Sequence, residues 1–124
     1  MTNSRRKGKV GELQARDYLD SLGFGPCKRG QQRSGLEVAD GLSSVHIEIK
    51  FGYPIEDFDM DRQLFADACM QADRDSRGGT WVVLWKPMRK RQWRLSWNTK
   101  QYGIITLADD QSIQRALDAL ANGP

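Results

Sequence analysis

Glu48 and Lys50 stand two residues apart in VHIEIKF, residues 45–51, a run rich in the β-branched residues that favour strands. Strand side chains alternate between faces, so Val45, Ile47, Ile49 and Phe51 share one face and His46, Glu48 and Lys50 the other. The first set builds a core; the second aims a carboxylate and an amine at one place. If a second acid stands opposite Glu48, the two carboxylates repel, and a divalent cation offsets that repulsion. Glu37 and Glu48, with the backbone carbonyl of Ile49, give the partial oxygen shell that Mg²⁺ prefers, completed by water and a phosphate. Lys50, one pleat on, would orient an attacking water or stabilise charge on that phosphate. Such a set can carry out metal-assisted phosphodiester hydrolysis. A solvated Glu–Lys pair has the same E-x-K spelling, so the pattern gains weight only from what else converges on it.

The second acid depends on a turn. LEVAD, residues 36–40, is a short strand pattern, and Gly41-Leu42-Ser43-Ser44 would return the chain into VHIEIKF as an antiparallel hairpin. A turn centred between Leu42 and Ser43 sets Glu37 opposite Glu48, and Asp40 opposite Val45. Opposed Cβ atoms are about 5 Å apart, and three residues of slip add about 10 Å, so Glu37 is the nearer partner. A bulge would shift that register and bring in Asp40, which stays a rival ligand.

The remaining elements follow from periodicity. Residues 7–22 read as a helix whose apolar stripe is Gly11, Ala15, Tyr18, Leu19 and Leu22, ended by Gly23. Glu12 lies at the edge of that stripe, where it can reach inward, and Leu13 points away, toward a partner subunit. Residues 24–35, rich in Gly and basic side chains, read as a loop. A second helix is predicted from about Asp57 to Asp75, with Met60, Leu64, Phe65, Ala68, Cys69 and Ala72 on one stripe. TWVVLWK (80–86) reads as a central strand, and RQWRLSW (91–97) turns Trp93, Leu95 and Trp97 inward. A last helix near 109–121 carries Ile113, Ala116, Leu117 and Leu120. This order predicts an α/β sandwich around a mixed sheet.

At 124 residues the chain, 1–124, fits a single domain. No apolar run is long enough to span a bilayer, and MTNSRRKGK lacks the apolar stretch of a secretory signal, so a cytoplasmic location and reduced Cys27 and Cys69 are expected. The spacing of Cys27 and Cys69 matches no zinc motif, and a single His argues against a structural zinc site. Net charge is only +3, but the cations are bunched: RRKGK (5–9), KRGQQR (28–33) and KPMRKRQWR (86–94). Three such runs gathered on one surface form the footprint of a polyphosphate partner, with Arg5, Arg6, Lys7, Lys28, Arg29, Arg33 and Lys86 as the phosphate contacts. No motif reads bases, so recognition would be by DNA shape. Trp81 or Trp97 would stack on a base, and His46 has a packing role as its simpler explanation.

Over most of its length the chain resembles the PD-(D/E)xK nucleases, and within them the archaeal and phage-type Holliday junction resolvases. RKGKVGELQARDYLDSLGF is similar to their opening basic patch and first helix, which implies a metal-binding role for Glu12. RSGLEVADG is similar to the loop and strand that carry a catalytic Ser, matched by Ser34, and the first metal-binding acid, matched by Glu37. HIEIK matches the (D/E)xK element at Glu48 and Lys50; SRGGTWVVLWK matches a later strand and places Lys86 near the active site. Gln71 matches a polar helix position of related phage nucleases. The chain departs from the family in having Leu36-Glu37 where Pro-Asp is usual, and Leu13 where the archaeal proteins often have Arg.

The resemblance implies a restriction-endonuclease-like core and a metal-dependent endodeoxyribonuclease, using Mg²⁺ or Mn²⁺, that resolves four-way DNA junctions by paired hydrolysis. Paired cuts need two sites related by a twofold axis, hence a homodimer. The alternatives are a nuclease of the same fold acting on flaps or duplex, and a catalytically silent DNA-binding module.

Overall fold

The computed structural model describes residues 4–24, 27–29, 36–38, 45–53, 63–99 and 101–122. The elements run α1 (Ser4–Ser21), β1 (Cys27–Arg29), β2 (Leu36–Val38), β3 (Val45–Tyr53), α2 (Gln63–Asp75), β4 (Thr80–Pro87), β5 (Arg94–Thr99), β6 (Gly103–Leu107) and α3 (Asp110–Asn122). β3, β4, β5 and β6 form a mixed sheet in that order, with β3 and β4 parallel and the other two pairs antiparallel. β1 and β2 make a separate two-stranded antiparallel sheet.

The middle layer is set by β4. Its residues 82–85 are buried without alternation, as a strand covered on both faces requires. Val82 and Leu84 join Ala15 and Leu19 of α1, Val45 and Ile47 of β3, and Ile113 and Leu117 of α3 in one core. Val83 and Trp85 join Phe65, Ala68 and Ala72 of α2 in the other. Helices therefore cover both faces, and α2 is the crossover that a parallel β3–β4 pair demands.

The α1 stripe read from the sequence is the packed face: Ala15 and Leu19 are fully buried, and Tyr18 and Leu22 border the same core. Gly11 is required by contact, because a Cβ there would lie 2.5 Å from the Phe51 Cβ. The Tyr18 ring stacks on Trp93 at 5.8 Å, and its hydroxyl donates to Asp110 Oδ1 at 2.7 Å, tying α1 to the start of α3. Burial, then that carboxylate, raise the Tyr18 pKa, so the phenol stays protonated.

Three expectations are corrected. Among the described residues Leu36–Val38 does not form a ladder with VHIEIKF: β2 pairs with β1, setting Glu37 opposite Lys28, while Glu48 is registered with Val83 of β4. The basic stretch read as a loop contains β1. A strand, β6, follows β5 where none was expected; its Ile104, Ile105 and Thr106 are half-buried. Smaller shifts also occur, since α1 begins at Ser4 rather than residue 7 and β5 begins at Arg94 rather than residue 91. The turn 39–44 and residues 57–62, with which the second helix was expected to open, lie outside the described residues.

α3 is capped by Asp109, whose Oδ1 accepts from the Ser112 backbone N–H at 2.8 Å, and that bond holds the carboxyl below its usual range. A lowered folded-state pKa gives stability that is present above the unfolded value and lost as pH falls through the folded one. Asp109→Asn keeps a capping oxygen but no charge. Thermal melts followed by circular dichroism are therefore expected to show the wild-type advantage over Asp109→Asn shrinking between about pH 5 and pH 2.

Candidate active site

β3 positions the polar set as alternation requires. Val45 and Ile47 are buried against α1, and Ile49 and Phe51 border the same core. His46, Glu48 and Lys50 therefore face the α2 side of the sheet. Glu48 is not a solvated surface acid: it is 1 % exposed. Its Oε1 lies 3.1 Å from His46 Nε2, and its Oε2 lies 3.7 Å from Lys50 Nζ. Lys50 in turn donates to Gln71 Oε1 of α2 at 3.1 Å. A buried carboxylate that lost these partners would be costly, so the arrangement holds both Glu48 and Lys50 in fixed positions.

Asp75, the last residue of α2, completes the group. One ligand atom each from His46, Glu48 and Asp75 lies within 4.8 Å of the others. This set of two carboxylates and an imidazole suits a divalent cation. The oxygens fit Mg²⁺ or Mn²⁺, and the imidazole shifts preference toward Mn²⁺ and other first-row metals. Asp75 marks the C-terminal end of α2 in the sequence, but no local pattern aims it at β3; only the crossover folds it back.

The expected ligands are distributed as follows. Glu12 is half-buried on α1, which packs on the face of the sheet opposite Glu48. Among the described residues Glu12 belongs to no group of three ligand side chains. Glu37 lies on β2, part of which comes within 8 Å of β3 between Cα atoms; its side chain, with those of Arg5, Arg6, Lys7, Lys28 and Arg29, lies outside what the structure describes. Ser34, Arg33 and Asp40 lie outside the described residues altogether. Leu13 and Trp81 are half-buried, and Trp97 packs against the α1–α3 core, which leaves neither Trp ring wholly open to a base.

Lys86 is placed on the α1 side. Its Nζ donates to Gln14 Oε1 at 3.1 Å and lies 5.7 Å and 5.9 Å from the Phe51 and Trp93 ring centres. It borders a groove of about 600 Å³ at the C-terminal ends of β3 and β4. Ligands of open α/β sheets bind beyond the carboxyl ends of the parallel strands, which is where this groove lies. Burial pushes the Cys69 thiol up to about 11, which favours its protonated form at neutral pH. Among the described residues no helix is long and apolar enough to cross a membrane. Comparison of the chain with models of protein families, with curated proteins and with solved structures finds no match.

Proposed function

We propose that the chain is a metal-dependent, structure-selective DNA endonuclease of the PD-(D/E)xK kind, with a restriction-endonuclease-like core, acting as a homodimer on four-way junctions. The observation that carries this reading is the buried Glu48 carboxylate, set among Lys50, His46 and Asp75 on the face of β3 beneath α2. A divalent cation held by Glu48 and Asp75, with His46 beside them, supplies Lewis acidity toward a phosphoryl oxygen. Glu37 from β2, Glu12 from α1 and the Ile49 carbonyl are the further ligands this reading calls on, and Ser34 a further catalytic group. Lys50, held by Gln71, offers its amine to the charge that develops on the phosphate. Arg5, Arg6, Lys7, Lys28, Arg29, Arg33 and Lys86 supply phosphate contacts that position DNA without reading its sequence.

A second reading has an observation of its own. Glu48 already has His46 and Lys50 at bonding distance, so its charge is compensated without a cation, as in a silent DNA-binding module. Incubating the purified protein with labelled four-way junction, flap and duplex, with and without Mg²⁺ or Mn²⁺, decides between them. The expected result is metal-dependent cutting, fastest on the junction. Cutting faster on flaps or duplex would keep the nuclease and change its substrate. Binding without cutting in either metal would leave only the module.

A further inference from the structure

We infer that the groove beyond the C-terminal ends of β3 and β4 is a binding site for an unpaired nucleic-acid strand, separate from the Glu48 recess. Four cationic residues line it, Lys86, Arg89, Lys90 and Arg91, and among its described lining residues there is no acid. Phe51 and Met88 add apolar surface, and Met88 is 44 % exposed. Phe51 is half-buried against the α1–α3 core, so only part of its ring faces the groove. Cations beside partly accessible apolar and aromatic side chains are the composition that holds the backbone of a single strand and packs against its bases.

The groove is built rather than incidental. Its two walls are tied together, because the Met88 backbone N–H donates to the Tyr53 carbonyl at 2.7 Å, and the Lys90 N–H closes the turn onto the Pro87 carbonyl at 3.2 Å. At the rim, β3 carries a bulge between Phe51 and Tyr53, with Gly52 at φ +80°, a conformation that a side chain would strain. Arg89 itself sits at φ +62°, a position where Gly or Asn is the ordinary choice. A long cation held there at a conformational cost, on a turn clamped to β3, lines the groove with charge.

A groove of about 600 Å³ has room for one or two nucleotides. The bases of a duplex lie inside the stack and cannot enter it; those of a frayed end, loop or branch point can. The groove opens on the α1 side of the sheet, where Lys86 meets Gln14, whereas Glu48 and Lys50 face α2. A strand seated in it would reach the Glu48 recess only by passing around the strand ends. From the proposed function this inference takes only that the partner is a polynucleotide, and it does not require hydrolysis at Glu48.

Fluorescence anisotropy of short labelled DNA and RNA strands and of a matched duplex, each measured at several salt concentrations, tests it. Lys90→Glu/Arg91→Glu removes groove charge; Arg77→Glu/Arg115→Glu makes the same change in net charge at exposed sites elsewhere. The groove variant is expected to lose affinity for a single strand on the order of tenfold, with the salt slope reduced by about 1, while the other variant stays near wild type. Equal losses in both variants would overturn the inference, since net charge alone would then explain binding. A duplex bound as tightly as the single strand would also overturn it. Melts by circular dichroism establish that both variants fold, and Lys90→Ala carries the same test if the double substitution does not. A protein that cuts no DNA yet loses strand binding in the groove variant keeps this inference and loses the nuclease; cutting with unchanged strand binding does the reverse.

Discussion

Glu48→Gln is expected to lower metal-dependent cutting by roughly 10³-fold while leaving DNA affinity unchanged or slightly higher. The amide is nearly isosteric, so it keeps one acceptor for Lys50 and fills the same buried volume. It removes the charge that a cation needs and leaves the shape. Glu48→Ala confounds the two, because truncating one member of a buried charge group costs about 3–5 kcal/mol through the partners left behind. Lys50→Ala is expected to cost roughly 10²-fold, as for loss of a single group that stabilises developing charge, again with binding retained. Asp75→Asn separates ligand from bystander. Loss of a ligand raises the metal concentration needed for half-maximal cutting, and excess Mn²⁺ restores the rate. Single-turnover cleavage and filter binding, run side by side, read all three variants. Glu48→Gln cutting at the wild-type rate would sink the site as drawn.

Leu84→Ala is expected to be the most damaging change to stability, about 2–5 kcal/mol, read as a lower urea midpoint at constant slope and a melting temperature lower by roughly 10 °C. Leu84 is fully buried in the central strand, in the core that α1, α3 and the sheet share. The hole cannot collapse readily. The flanking side chains project from β3 and β5, both already fixed by their ladders to β4, and α1 is held against β3 by the Gly11–Phe51 contact. Met88→Ala, on an exposed side chain, is the matched comparison and is expected to change stability by less than about 0.5 kcal/mol. A Leu84→Ala protein as stable as Met88→Ala would mean that the central strand is not where β4 stands.

The α1 stripe, the alternation of β3, the unbroken apolar run of β4 and the α3 face of Ile113, Ala116, Leu117 and Leu120 were all legible. So was the sharing of one face by His46, Glu48 and Lys50. Strand pairing was not legible. VHIEIKF follows a Gly-Leu-Ser-Ser turn, and local turn chemistry argued for an antiparallel partner upstream. The actual partner is β4, reached through α2, because a strand apolar on both faces must sit inside the sheet. β6 was missed because its five residues carry no alternation, although Ile104, Ile105 and Thr106 are β-branched and Gly103 opens the strand.

Periodicity along the chain therefore determined which side of each element is buried, since 3.6-residue and two-residue repeats are properties of neighbouring residues. It also determined that Glu48 and Lys50 share a face. What stands opposite that face was decided only by the tertiary structure. Asp75 and Gln71 arrive there because α2 runs back along β3, and Lys86 and Arg91 share one groove because the turn after β4 is bonded to Tyr53. Asp75 stands 27 positions from Glu48, Gln71 stands 21 from Lys50 and Met88 stands 35 from Tyr53. The forces that bring them together are the burial of Val83 and Trp85 beneath α2 and the ladder between β3 and β4, neither of which leaves a local trace in the sequence.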